Sequence, residues 1–249
     1  MKVLLAVLLS FSFFLAGAQN QRDNSGALIG LDFSVGLHRP GGDWAARFGD
    51  HGSLGSSVEY FFKKSNFILG LEGYFLFGQK VKEDVLAGIR GPDGLLISND
   101  RSVADIQLRE RGFYVGGHLG KLFRLSDFNP KTGIRLTVGA GVLQHQIRLQ
   151  EEVNVSVSAI SGDYKKGYDR LSNGLALNQF IGYQHFSLNR RINFYAGFEF
   201  TQAFTQSRRD YNFDTRSTDA DTHFDWSYGL RLGWVFPFYL SDKGEEILY

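Results

Sequence analysis

The chain has 249 residues and sets 27 Lys+Arg against 26 Asp+Glu, a balance that offers no basic field for nucleic acid. It contains no cysteine, which excludes disulfides, thiolate metal sites and lipid attachment at an N-terminal cysteine. Its 30 Gly, 23 Phe and 11 Tyr beside only four Pro suit one large all-β domain with close interior packing and aromatic girdles.

The first element is "MKVLLAVLLSFSFFLAGAQ". Lys2 supplies a positive start, Val3 to Leu15 an apolar core, and Ala16-Gly17-Ala18 a small-x-small cleavage site, so a secretory signal peptide is expected over 1–18 with cleavage before Gln19. The apolar run is shorter than the roughly 18 residues that a spanning helix needs. No later run approaches that length, so if the domain 19–249 crosses a membrane it must do so as a closed barrel.

Strict alternation begins at "GALIGLDFSVGLH" (26–38), where Ala27, Ile29, Leu31, Phe33, Val35 and Leu37 share one face and Gly30, Asp32, Ser34, Gly36 and His38 the other. "SLGSSVEYFF" (53–62) sets Leu54, Val58, Tyr60 and Phe62 against Gly55, Ser57 and Glu59. A four-residue turn leads into "FILGLEGYFLFG" (67–78), with Phe67, Leu69, Leu71, Phe75 and Phe77 opposed to Gly70, Glu72, Tyr74 and Gly78. After a long polar insert over 79–108, "GFYVGGHLGKLF" (112–123) opposes Phe113, Val115 and Leu119 to Tyr114, Gly116, His118 and Gly120. A short turn follows, then "TGIRLTVGAGVLQHQ" (132–146), with Ile134, Leu136, Val138, Ala140 and Val142 against Arg135, Thr137, Gly139 and Gly141. A second insert covers 149–172. Within "NGLALNQFIGYQHF" (173–186), Phe180 breaks the rule by falling on the face of Asn178, Gly182 and Gln184. "INFYAGFEFTQAF" (192–204) and, after a polar loop over 207–222, "FDWSYGLRLGWVFPFYL" (224–240) complete the series.

Eight strands are therefore expected, joined by connections that run long, short, long, short, long, short, long, as in transmembrane barrels whose N-terminus lies in the periplasm. A soluble lipocalin-type barrel has the same strand count but fills its interior with apolar side chains. Three features favour apolar residues outside: the polar face is rich in glycine, as a narrow lumen requires; aromatics gather at strand ends; and a cysteine-free secreted chain fits a Gram-negative envelope. The expected fold is an all-β, eight-stranded, antiparallel up-and-down transmembrane β-barrel in the outer membrane. The long inserts leave room for a further hairpin and hence ten strands.

With its leader, its alternating segments and the final strand "YGLRLGWVF", the sequence resembles the small outer-membrane β-barrels of the OmpA barrel-domain and OmpX class, and more loosely the PorT-like outer-membrane barrels. The resemblance is one of architecture and covers nearly all of 19–249. It implies that Gly229, Leu230, Leu232, Trp234 and Phe236 form the signal read by the outer-membrane assembly machinery, and that lipid and lipopolysaccharide surround the barrel. A role in a secretion or assembly complex, with an envelope protein partner, is implied by the PorT-like likeness. Such barrels often end on the aromatic of the last strand, whereas here Pro237 and the tail "SDKGEEILY" follow.

The inward face would hold Asp32, Glu59, Glu72, His118, Arg135, Glu199 and Arg231, which should pair into a network that plugs the lumen; a small gated pore for solutes is the alternative. Hydrolysis of lipid A or peptides would need loop residues, and Asp50-His51 or Asp221, His223 and Ser227 could serve. Neither set completes a known motif, so a non-enzymatic barrel without cofactor or metal is the expectation, serving envelope integrity, surface interaction or an assembly complex. The charged residues Arg208, Arg209, Asp210, Asp214, Arg216, Asp219 and Asp221 read as a solvated or lipopolysaccharide-facing rim. "VNVSVSAIS" (153–161) reads as a strand extension or hairpin above the membrane.

Overall fold

The computed structural model describes residues 24, 26–151 and 157–240. The expected signal peptide, the start of "VNVSVSAIS" and the tail "SDKGEEILY" lie outside them. Eight strands form the ring: β1 (Leu28–Gly41), β2 (His51–Phe61), β3 (Phe67–Gly78), β4 (Ile106–Arg124), β5 (Gly133–Glu151), β6 (Ser172–Phe186), β7 (Asn193–Ser207) and β8 (Thr222–Tyr239). Each pairs antiparallel with its sequence neighbours, and β1 closes the barrel on β8. Closure leaves no strand edge with unpaired N–H and C=O groups, the condition for a sheet to lie in hydrocarbon.

Register places the two faces as the alternation requires. Leu31 stands opposite Val58 and Phe236, while Asp32 stands opposite Ser57 and Val235. The outward residues are bare: Leu37 is 75% exposed, Leu71 73% and Leu230 67%, against 1% for Asp32 and Glu59 and 0% for Glu199. A continuous apolar exterior around a buried ionic interior is the inverse of a soluble fold and is stable only against hydrocarbon.

The strands run further than alternation indicated, because their polarity inverts near one end. Along β5, outward Ile134, Leu136, Val138, Ala140 and Val142 give way to Gln144, Gln146, Arg148 and Gln150, while inward Arg135, Thr137, Gly139 and Gly141 give way to Leu143, His145, Ile147 and Leu149. β4 inverts at the same level: outward Phe113 is followed toward the loops by Arg111 and Arg109, and Ile106 is buried. The apolar belt therefore ends at Phe113 and Val142, and above it the barrel wall is built like a water-soluble one.

The long inserts do hold one further hairpin, but it stands outside the ring, which keeps eight strands. Two-residue strands Leu96–Ile97 and Val103–Ala104 form a separate sheet in the connection 79–105. That insert is a correction to the polar reading: Val85, Leu86, Leu96 and Ala104 are buried in one cluster with Ile106, Ile147, Leu149, Val157, Ile160 and Tyr168. The long connections thus share a hydrophobic core and form a folded cap. Of "VNVSVSAIS", Ser158–Ile160 is a 3-10 turn with Ile160 in that core, not a strand.

At the short-turn end the lumen is closed by Leu28, Phe61, Ile68, Leu122, Phe186 and Val235. Phe180 breaks the alternation because it belongs to this layer, where its ring lies edge-on to Tyr195 and over two glycines. A Cβ at Gly182 or Gly197 would come within 2.6 or 2.7 Å of the ring tip. Inward glycines make room for inward rings.

Candidate functional site

The middle of the lumen carries the charges. Arg135 makes a two-pronged contact with Glu59, with Nη1 donating at 2.9 Å. Glu59 also faces His118 Nε2 at 2.9 Å, and His118 Nδ1 lies 3.7 Å from Glu72. Arg231 continues the chain, reaching Glu72 at 3.0 Å and Glu199 at 2.5 Å. Asn178 and Thr201 flank Glu199, with Asn178 donating to it at 2.6 Å. Asp32 stands at the edge of this chain, taking hydrogen bonds from Ser57 and, at 3.1 Å, from the Tyr195 hydroxyl. The guanidinium carbons of Arg135 and Arg231 each lie 4.4 Å from a ring centroid, of Tyr195 and Tyr74 respectively. Asp32, Glu59, Glu72, His118, Arg135, Glu199 and Arg231 are all buried and, except for Asp32, lie in one continuous ionic chain.

A second tier closes the opposite end and was not visible as a periodic element. The first connection folds inward as α1 (Gly42–Arg47), too short for helical periodicity to register. Gly42, at φ +61°, turns the chain from β1 into α1, where a Cβ would lie 2.3 Å from the Phe224 carbonyl oxygen. The Asp43 carboxylate accepts the Phe224 backbone N–H at 2.7 Å. Trp44 then inserts into the mouth, 1% exposed, with Nε1 donating to Glu110 at 2.8 Å. Its ring is stacked between His51 and His145, at centroid distances of 4.8 and 5.3 Å. His145 is held in turn by Asp225 at 2.9 Å, and Thr205 donates to the same carboxylate. Glu110 is an inward residue of the β4 extension, so starting that strand at Gly112 hid it, while His145 lay inside the segment 132–146 but beyond the alternation read along it, which stopped at Val142; the lone tryptophan of "GGDWAARFGD" was the available signal.

Above this tier, ion pairs join the connections to one another. Arg47 of α1 donates to Glu83 at 3.2 Å, Glu83 accepts from Arg170 at 3.0 Å, and Arg170 reaches Asp214. Arg209 donates to Asp169 at 2.8 Å. Helix, cap and final loop are thereby tied together over the plugged mouth.

The catalytic alternatives do not assemble. His51 faces inward beneath Trp44, whereas the exposed Asp50 carboxylate is turned to Arg39 at 3.0 Å, and that hydrogen bond holds it below the usual carboxylate range. His223 is paired with Asp219 at 3.0 Å rather than with Asp221, and Ser227 is buried in the lumen. Among the described residues no group of three His, Asp or Glu is placed to hold a metal ion. In the expected assembly signal, Leu232, Trp234 and Phe236 are exposed on the outer wall and Gly229 faces inward.

No family model and no curated protein sequence matches the chain. Solved structures similar to it include Neisserial surface protein A (10% identity, TM-score 0.46, covering 86% of this chain and 99% of that one). The attachment invasion locus protein Ail of Yersinia pestis is similar at 14% identity and TM-score 0.39, over 85% of this chain and 99% of that one. The outer membrane protein AlkL, solved in lipid bilayers, matches at 12% identity and TM-score 0.38, over 92% of this chain and 97% of that one.

Proposed function

We propose that the protein is a non-catalytic barrel of the Gram-negative outer membrane, with a sealed lumen, acting through its folded cap in surface interaction, envelope integrity or an assembly complex. The observation that carries this reading is the three-layer filling of the lumen beneath a cap with its own core. Eight strands leave room for little but side chains, and here Trp44 and its flanking histidines close the mouth, paired charges the middle and a mixed aliphatic and aromatic layer the base. The inverted polarity at Phe113 and Val142 supports a membrane boundary there, with the long connections on the cell surface.

The cap offers exposed apolar side chains, Leu95, Ile97 and Val103 around the small hairpin and a separate group of rings, Tyr164, Tyr211 and Phe213, on connections braced from beneath. Exposed apolar groups on a rigid support are what a contact surface requires. The test is twofold. The purified protein should fractionate with outer membranes as a compact band that shifts on boiling, and it should give no steady conductance in planar bilayers. A water-soluble protein would overturn the membrane reading; stable channel openings would overturn the sealed lumen.

A further inference from the structure

We propose that the outer wall carries a binding site for a phosphorylated, acylated glycolipid of the outer leaflet, formed by an apolar groove at Gly52 and an arginine cluster on β4 and β5. The inference rests on the outer-membrane reading above.

The groove encloses about 710 Å³ on the lipid-facing side, with Leu37, Phe77, Phe198 and Leu230 as walls. Its floor is Gly52, which stands between Leu37 of β1 and Phe77 of β3 in one cross-strand row. Lacking a side chain, Gly52 lets the Phe77 ring lie across it, since a Cβ there would come within 2.8 Å of that ring, and the ring so placed walls the groove.

The same row continues from Phe77 to Arg111. One step toward the cap, Arg109 and Arg148 stand directly opposite each other across β4 and β5, and Arg111 is diagonal to Arg148. Like charges so placed on a sheet repel, yet among the described residues none of the three has a carboxylate partner. Arg109 donates to Gln107 at 2.6 Å and Arg111 to the Glu110 carbonyl at 2.6 Å. Exposed Lys80 extends the cationic side above the groove, where Arg39 and Asp50 offset each other in an ion pair.

Cations just above the end of the apolar belt, beside a hollow open to acyl chains, match a ligand whose phosphate sits at the head of its tails. Arginine forks suit phosphate oxygens, and contact with a phosphate would relieve the repulsion that the bare cluster suffers. Groove and cluster adjoin across one strand pair, Phe77 against Arg111, so a single lipid molecule spans both.

The experiment is titration of the full-length protein, folded in detergent, with bisphosphorylated lipid A, read by native mass spectrometry. The triple substitution R109Q/R111Q/R148Q should weaken binding by about 30-fold, the scale of losing one or two charge-assisted hydrogen bonds. Gly52→Leu should weaken it by about tenfold by driving the Phe77 ring off its seat and into the groove. Both variants should keep the boiling-sensitive band, since all four positions lie on the outer wall. Equal binding by the variants would overturn the site. So would equal binding of the dephosphorylated lipid, equal binding of phosphatidylglycerol, or full displacement by millimolar inorganic phosphate, which would reveal a free-phosphate site instead. Outer-membrane fractionation with variant-insensitive binding would sink this inference alone; a protein absent from that membrane would remove its premise.

Discussion

Replacing Arg231 with methionine isolates the ionic layer from the rest of the fold. Its guanidinium bridges Glu72 at 3.0 Å and Glu199 at 2.5 Å, all three side chains being 7% exposed or less. Methionine fills similar volume and retains contact with the Tyr74 ring, so the perturbation is electrostatic rather than a cavity. Glu199 keeps its hydrogen bonds from Asn178 at 2.6 Å and Tyr74 at 3.4 Å, but Glu72 is left with only the His118 ring at 3.7 Å. Removing one partner of a buried pair costs about 3–5 kcal/mol, because the remaining charge stays desolvated. The expected outcome is a fall of that size in unfolding free energy, measured by urea titration in lipid vesicles with tryptophan fluorescence and the gel shift as paired probes. The triple variant R231M/E72Q/E199Q should recover all but about 1 kcal/mol, since its groups are neutral and can hydrogen-bond. A single variant as stable as the parent, with the same denaturant slope, would refute the argument. So would a triple variant no more stable than the single one.

Three further outcomes follow from other layers. Trp44→Ala removes the ring between His51 and His145 and the hydrogen bond to Glu110; it should cost about 3–5 kcal/mol and produce flickering conductance in planar bilayers where the parent gives none. Gly197→Val drives a side chain into the Ile181 carbonyl oxygen, 2.3 Å from the added Cβ, and the Phe180 ring; refolding should yield little or none of the compact band. Lys131, in the turn between β4 and β5, is 1% exposed, and burial, with Arg124 adding to it, pushes its amine from 10.5 down to about 8. The unfolded chain then holds more protons between those values, so this group makes stability flat below pH 8 and rising from pH 8 to 10.5. Lys131→Met should therefore stabilise the protein by about 2–3 kcal/mol at pH 7, with the advantage shrinking as pH climbs toward 10; a constant difference across that range would count against the burial argument.

How much could be read without coordinates depended on which pattern each segment used. Period-two alternation reports only which face meets apolar surroundings, so it located the central part of all eight strands and placed Asp32, Glu59 and Arg231 inward. It also isolated Phe180 as an exception, although the cause, glycine hollows at Gly182 and Gly197 on two different strands, lies in register and not in the local string. Trp44 was beyond its reach because a six-residue helix completes fewer than two turns. Val85, Leu86, Leu96 and Ile160 were lost for a different reason: their core is assembled from two connections, neither of which is apolar enough alone to announce one.

The early ends assigned to β4 and β5 are the most instructive difference, since nothing in the backbone stops there. At Val142 and Leu143 the apolar residue moves from the outward to the inward position without any break in pairing: Leu143 pairs with Tyr114, and Ile147 with Glu110. A template that expects one face to stay apolar loses its pattern at that point and ends the strand soon after, at Gln146 rather than Glu151, although the physical event is a change of solvent outside the wall. Such a phase reversal is therefore readable as a depth marker: hydrocarbon below Phe113 and Val142, water and headgroups above. The cationic cluster begins at Arg111, the first outward position beyond Phe113, and continues to Arg109 and, past Gln144 and Gln146, to Arg148, where a guanidinium escapes the hydrocarbon yet remains within reach of a lipid headgroup.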